Sequence, residues 1–313
     1  MRIAANIFFR ALLILVLSQV ASGAEDRIDL DLRLEPKNEK NFYLLKENFE
    51  SKDVIKIEGN EYKIVRSQNE LFVDDYYDTK LHSLLKKKAS LRYRKRFINS
   101  TDSKNLIQFK TQKSNDKLAG MNEFKITMDS DETLISYHDL KKYLNIPKNR
   151  NSELHKQLGG YVNISKLDQI FSATQYRDRF YLQNDKEETI FTISFDEVVY
   201  SKDLSKKTYL VVEFEINEII MANANKMDSS ILLNGLNEFI KNLDKENVLF
   251  NRIYDNKYSV GIKKLEIKPT PENLIEIILT FLALLFIIFL FSIPIFSRIF
   301  RQKNLDKQYK PNN

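Results

Sequence analysis

The sequence contains no cysteine. That excludes a disulfide framework, a zinc–thiolate centre and a thiol nucleophile, and it fits either side of a membrane. Tryptophan is also absent, and glycine and proline number only 7 and 6 in 313 residues. The few that occur therefore mark real breaks: Pro36, Gly59, Pro147, the pair Gly159-Gly160, and Pro269 with Pro271. The three histidines, His82, His138 and His155, share no ligand spacing and are assigned no site. Most of the chain also lacks excess charge. The net charge is +6 overall, but residues 1–24 hold +2 of it and residues 298–313 hold +4. The body is neutral, which argues against a broad nucleic-acid surface.

What is present begins at the two ends. Arg2 and Arg10 flank an apolar run, Ala11 to Val20, that leads to the small residues Ala21-Ser22-Gly23. Residues 1–23 read as a secretory signal. Ile277 to Phe296 carries no charge over 20 residues. At about 1.5 Å per residue that spans roughly 30 Å, one hydrocarbon core. Residues 274–297 are therefore expected to be a transmembrane helix in contact with membrane lipid. The basic residues 298–313 after it place the tail in the cytoplasm. The expected arrangement is a single-pass type I protein. Its domain, residues 24–268, would lie outside the cytoplasm, periplasmic or at the cell surface.

Within that domain, alternation dominates. Residues 27–35 put Ile28, Leu30, Leu32 and Leu34 on one face and Arg27, Asp29, Asp31, Arg33 and Glu35 on the other. Residues 90–96 put Arg92, Arg94 and Arg96 on one face. Three guanidiniums in a row require solvent, carboxylates or a polyanion to neutralise them. Further alternating strands cover 105–112 with Lys110, 121–128 with Glu123 and 174–183 with Arg177 and Arg179. Others cover 189–199 with Asp196 and 208–217 with Glu213 and Glu215. Helical spacing marks 38–50 and 228–243, and residues 132–171 suggest short helices broken at Pro147 and Gly159-Gly160. The count is eight or nine mostly antiparallel strands with peripheral helices. A sandwich would leave the charged faces in bulk solvent, whereas a barrel would turn them inward; periodicity alone leaves both open. A lumen holding cations and carboxylates together suits a polyphosphate with bound metal.

The ordered motifs resemble the CYTH superfamily of triphosphate tunnel metalloenzymes and the related VTC polyphosphate-polymerase domains. The segments are Asp29-Leu-Asp31-Leu-Arg33, Tyr76-Tyr77-Asp78-Thr79, Leu91-Arg92-Tyr93-Arg94, Phe109-Lys110, Glu123, Arg177-Asp178-Arg179, Phe195-Asp196, Glu213-Phe-Glu215 and Asn256-Lys257-Tyr258. The likeness runs over about residues 27–262. It departs from the family pattern in having Asp at 29 and 31 and Arg at 33, and in having Lys86-Lys87-Lys88 where a glycine is usual. The resemblance implies an α+β fold, an antiparallel eight-stranded β-tunnel (barrel) with peripheral helices. It implies that Arg33, Arg92, Arg94, Lys110, Arg177 and Arg179 grip phosphate. It also implies that Asp29, Asp31, Asp196, Glu213 and Glu215 hold Mg²⁺ or Mn²⁺, with Glu213 and Glu215 catalytic. Glu123 orients a basic side chain or binds metal in that scheme. Arg96 matches nothing in the pattern and reads as a solvated rim residue, Lys86-Lys87-Lys88 reads as solvated, and Tyr76 and Tyr77 read as wall packing.

The function implied is metal-dependent hydrolysis of tripolyphosphate or a triphosphate ester, with no nucleic-acid partner. Polymerase and cyclase chemistry need cytosolic nucleotide, which an exported domain lacks. The alternatives are a non-catalytic polyphosphate or anion-binding module of the cell envelope, and a structural envelope protein whose barrel displays a partner surface.

Overall fold

The alternating segments fold as strands of one antiparallel sheet in the computed structural model, which describes residues 31–98, 101–112, 121–128, 137–217, 220, 226–243, 249–270, 281–286 and 289. The chain forms two units, Met1–Lys268 and Pro269–Asn313. The expected signal (1–23), Asp29, the basic tail and most of 274–297 lie outside the described residues. Among the described residues no helix is long and apolar enough to cross a membrane.

The first unit runs β1 (Asp31–Pro36), α1 (Glu39–Glu50), β2 (Val54–Ile57), β3 (Asn60–Arg66), β4 (Glu70–Asp78), α2 (Ser83–Lys86), β5 (Ser90–Ile98), β6 (Thr101–Gln112) and β7 (Met121–Met128). It continues with α3 (Tyr137–Leu144), α4 (Pro147–Arg150), α5 (Glu153–Tyr161), β8 (Asp168–Gln183), β9 (Thr189–Lys202), β10 (Ser205–Ile216), α6 (Lys226–Leu243), β11 (Phe250–Ile253) and α7 (Lys257–Lys264). The strand order is β11-β1-β10-β9-β8-β4-β5-β6-β7, with the β2–β3 hairpin attached to β8. The eight strands from β7 to β1 carry the charged alternation. The sheet nevertheless has 11 strands, and among the described residues its path is not closed by a pairing of β7 with β11. The three strands beyond the expected eight are the β2–β3 hairpin and β11, whose four residues are too few to show a period.

Two hydrophobic cores form where apolar strand faces pack under helices. In α1, Asn38 caps the first turn by accepting from the Asn41 N–H at 3.0 Å. Phe42, Leu45 and Phe49 recur at helical spacing and bury against Leu32, Leu34, Phe195, Val212 and Phe214, together with Phe239 and Ile240 of α6. A second core sits under α3 and α5, where Leu140, Leu144, Leu154 and Leu158 meet Leu91, Tyr93, Ile107 and Phe109. Gly159 and Gly160, expected to break a helix, lie inside α5 with nothing within 4 Å of either. Glycine costs only about 1 kcal/mol in an exposed helix position, and Leu154 and Leu158 anchor the helix. The break expected at Pro147 is present: α3 ends at Leu144, and Pro147 opens α4 as its first residue.

The third core is different, because it lies on the face of the sheet that elsewhere carries the charged residues. Tyr258, Val260 and Ile262 of α7 pack against Tyr76, Phe171, Ala173, Val198, Tyr200, Tyr209 and Val211. Many of these share the face that carries the charged residues farther along the same strands. This packing depends on Gly261. A Cβ there would come within 2.4 Å of the Phe171 ring and 3.0 Å of Tyr200. Gly261→Ala is expected to destabilise the fold by about 1–3 kcal/mol through overpacking, offset in part by about 1 kcal/mol of helix propensity. A urea titration checks this, and an unchanged midpoint would show that Phe171 yields freely.

Candidate functional site

Cross-strand register brings the charged residues to one place. Arg33 stands opposite Glu213 and Asp31 opposite Glu215. Arg94 faces Asp74, Arg92 faces Gln108, Lys110 faces Glu123, and Arg177 faces Asp196. Directly opposed residues share a face of the sheet, so the band is continuous from β7 to β1. It borders a cavity of about 180 Å³ lined by Arg33, Arg92, Arg94, Lys110, Lys125, Arg177 and Lys257 against Glu123, Glu213 and Glu215, with Tyr76, Ser90, Gln108, Asn256 and Tyr258 completing the wall. Seven cations face three carboxylates on the wall, and the excess stays positive when the buried Asp74 and Asp196 behind it are included.

The cations are held from behind. Asp74, 1% exposed, takes Arg94 in a two-pronged bond of 2.6 and 2.6 Å and Arg92 at 3.2 Å. Arg92 is further fixed by Gln108 at 2.5 Å and the Tyr76 hydroxyl at 3.3 Å. The Arg94 guanidinium stacks 4.1 Å from the centre of the Phe72 ring. Asp196 receives Arg177 Nε and Nη2 at 2.6 Å each and Lys257 Nζ at 2.6 Å. Glu213 receives Arg33 Nε at 2.8 Å, Lys257 Nζ at 3.1 Å and Arg177 Nη2. On β7 and β6, Glu123 pairs with Lys125 at 2.5 Å and Lys110 at 3.4 Å.

Burial and charge compete at these groups. Burial alone would raise the carboxyls of Asp74 and Glu213. For Asp74 the charges of Arg94 and Arg92 outweigh it and hold the group below the usual carboxylate value. For Glu213 the charges of Lys257, Arg177 and Arg33 do the same, and it lies well below the ordinary range. Burial lowers the Lys257 ammonium, against the pull of Asp196 and Glu213.

Six of the sequence-derived residues other than Glu215 thus line one cavity: Arg33, Arg92, Arg94, Lys110, Arg177 and Glu213; Glu215 lines it as well. Arg179 is not on this wall and pairs with Glu70 at 3.2 Å. Arg96, expected to be a solvated rim residue, also pairs with Glu70 and lies 6.0 Å from the Phe72 ring centre. Asp196 is fully buried behind Arg177 and Lys257. Tyr76 does more than pack, since it reaches the cavity and stacks on Phe171 at 4.8 Å. Sequence reasoning missed Glu70, Asp74 and Gln108 as partners and Lys257 as a wall residue. The segment Asn256-Lys257-Tyr258 was the available signal for the last.

Mg²⁺ or Mn²⁺ finds no ready donor set here. Among the described residues no three acidic or histidine side chains are placed to hold a metal ion. The oxygens of Asp196 and Glu213 are taken by Arg177, Lys257 and Arg33. A divalent cation at either carboxylate would sit against two or three fixed positive charges, so these two do not fit as its ligands. Of the other expected ligands, Asp29 and the side chain of Asp31 lie outside the described residues.

The model of the CYTH domain matches residues 40–222. Among solved structures, a protein from Pyrococcus horikoshii is 16% identical, with a TM-score of 0.46 over 75% of this chain and 99% of that one. A Hippeastrum protein described as an adenylyl cyclase with a dominant triphosphatase activity is 12% identical, with a TM-score of 0.48 over 75% and 96%. The S. pombe RNA triphosphatase is 9% identical, with a TM-score of 0.38 over 70% and 85%. A comparison with curated proteins finds no match.

Proposed function

The chain belongs to the CYTH domain family, and from that premise we propose that it binds a linear triphosphate in the charged cavity and hydrolyses it as a complex with Mg²⁺ or Mn²⁺. The observation that carries this is the wall of seven cations whose guanidiniums are fixed by Asp74, Asp196 and Glu213. Preorganised donors lose little order on binding phosphate, and phosphoryl transfer needs positioning and charge stabilisation more than covalent chemistry. Arg33, Arg92, Arg94, Lys110 and Arg177 take the phosphate oxygens. A metal ion carried by the substrate would supply neutralisation of the terminal phosphate, without Asp196 or Glu213 as ligands.

Two measurements test this. Calorimetric titration should show tripolyphosphate binding that weakens with salt. Arg92→Ala should lower the affinity about tenfold or more, the worth of a charged hydrogen bond. Phosphate release from tripolyphosphate and from triphosphate esters should require Mn²⁺ or Mg²⁺. No binding to tripolyphosphate would sink the proposal. Binding without metal-dependent release would favour the non-catalytic module, a reading that the cation-filled Asp196 and Glu213 already support.

The proposal extends to placement. An exported domain on a single C-terminal span, with a cytoplasmic tail, accounts for the signal-like residues 1–23, the uncharged run Ile277 to Phe296 and the basic residues after it. A reporter fused to the C-terminus that is active only outside the cytoplasm would refute this.

A further inference from the structure

The neutral charge of the body hides an uneven distribution. Three segments meet around the core built on α7: the α2 turn (80–88), the β9–β10 hairpin (201–207) and the exit from α7 (263–268). Leu85, Tyr200, Tyr209, Leu265 and Ile267 all belong to that core or pack against it. Lys202 and Lys86 both act electrostatically on His82, which ties the hairpin to the α2 turn. Together the three segments contain ten lysines against only Asp203 and Glu266. Lys263 and Lys264 are offset by Asp255 at 2.5 Å and Glu35 at 3.0 Å. The other lysines leave this end strongly positive, with Lys86, Lys87, Lys88, Lys206 and Lys207 all exposed.

Leucine accompanies the charge. The hairpin turns at Asp203, with φ of 52°, and presents Leu204 at 101% exposure at its apex. Leu81 in the α2 turn is 40% exposed. The chain leaves the unit at this same end, through Leu265, Ile267 and Lys268. Soon after, the sequence enters the uncharged run Ile277 to Phe296.

We propose that this end of the domain, the β9–β10 hairpin with the α2 turn, docks on an anionic phospholipid bilayer, Leu204 entering the headgroup boundary and the lysines pairing with lipid phosphates. Lysine clusters are attracted to anionic leaflets, and an apolar side chain among them adds insertion. A nucleic acid fits less well. The three segments contain no arginine and no Phe, Tyr or Trp for base contacts or stacking. The inference goes beyond triphosphate binding. It shares with the proposed tether only the presence of a bilayer, and it places the core built on α7 toward the lipid.

The test uses the first unit ending at Lys268, whose three hydrophobic cores lie within itself, so the later apolar run cannot contribute. Co-sedimentation is measured with phosphatidylcholine vesicles, with and without phosphatidylglycerol. The wild type should bind anionic vesicles at least about tenfold better than neutral ones, as expected for several lysines near a charged leaflet. Leu204→Ser and the pair K206E/K207E should each reduce binding several-fold, while tripolyphosphate affinity stays at its wild-type value. Equal binding to both kinds of vesicle, or no binding, overturns the proposal. So does K206E/K207E at full strength, or a DNA duplex that displaces the vesicles at lower concentration than tripolyphosphate does. None of these results touches the triphosphate reading, which stands or falls on the titration above.

Discussion

Arg177→Met is expected to lower stability by about 3–5 kcal/mol and to abolish tripolyphosphate binding, because removing one partner from a buried charge cluster leaves the others uncompensated. Arg177 is 7% exposed and bonds both Asp196 and Glu213. Without it, Asp196 keeps its bond from Lys257, and Glu213 keeps those from Lys257 and Arg33. A Coulomb pull of this kind is strong in a buried site, so the loss exceeds that from any exposed pair such as Lys56–Glu61. The same change alters the pH dependence. Asp74 and Glu213 have ordinary values of 3.8 and 4.5 and are held below them in the folded protein. Their contribution is therefore complete above those ordinary values and is lost as pH falls through the lower folded ones. In the variant, the Glu213 carboxyl moves back toward its ordinary value and the acid-side slope of stability flattens. Urea midpoints across the acid range check both claims. A variant as stable as wild type, with an unchanged slope, would mean that Lys257 and Arg33 suffice.

The period-two pattern made the charged band legible because parity in a strand fixes the face. Arg33, Arg92, Arg94, Lys110, Arg177 and Glu213 reach one cavity for that reason. What it did not reveal was pairing, which depends on register between distant strands. Asp74 opposes Arg94, 20 residues away, across a pairing that no local pattern marks. Glu70 pairs with Arg96 and with Arg179, which lies on a different strand. Lys257 comes from a helix 61 residues beyond Asp196, so no local spacing could place it. Glu213 shows the limit most clearly. Its residue type suited a metal ligand, but three cations reach it first. Closure failed to show for a related reason: alternation identifies a wet and a dry face without saying whether the first strand meets the last.

Asp78→Ala is expected to cost about 4 kcal/mol or more, since each buried donor left without a partner costs about 1–3 kcal/mol. Asp78 is fully buried. One of its oxygens accepts the Thr79 and Leu84 N–H groups at 2.7 and 2.8 Å. The other accepts the Leu85 N–H at 3.0 Å and the Tyr258 hydroxyl at 2.8 Å. One carboxylate thus starts α2, a helix of four residues with no side-chain cap of its own, and fastens it to α7. The loss therefore travels. Tyr258 precedes the packed Gly261 by one helical turn and follows Lys257, whose ammonium reaches Asp196 and Glu213. Loosening Tyr258 shifts Lys257, so tripolyphosphate affinity should fall with stability even though Asp78 does not reach the cavity. Tyr258→Phe isolates that route, because it removes one bond, worth about 1 kcal/mol, and keeps the ring stacked on Phe171 at 5.7 Å. The expected order in urea is wild type, then Tyr258→Phe, then Asp78→Ala well below both. In the double variant the hydroxyl term should vanish, leaving the cost of the three N–H groups. Equal losses for the two single variants would assign the whole effect to the Tyr258 hydroxyl and remove Asp78 as the cap of α2.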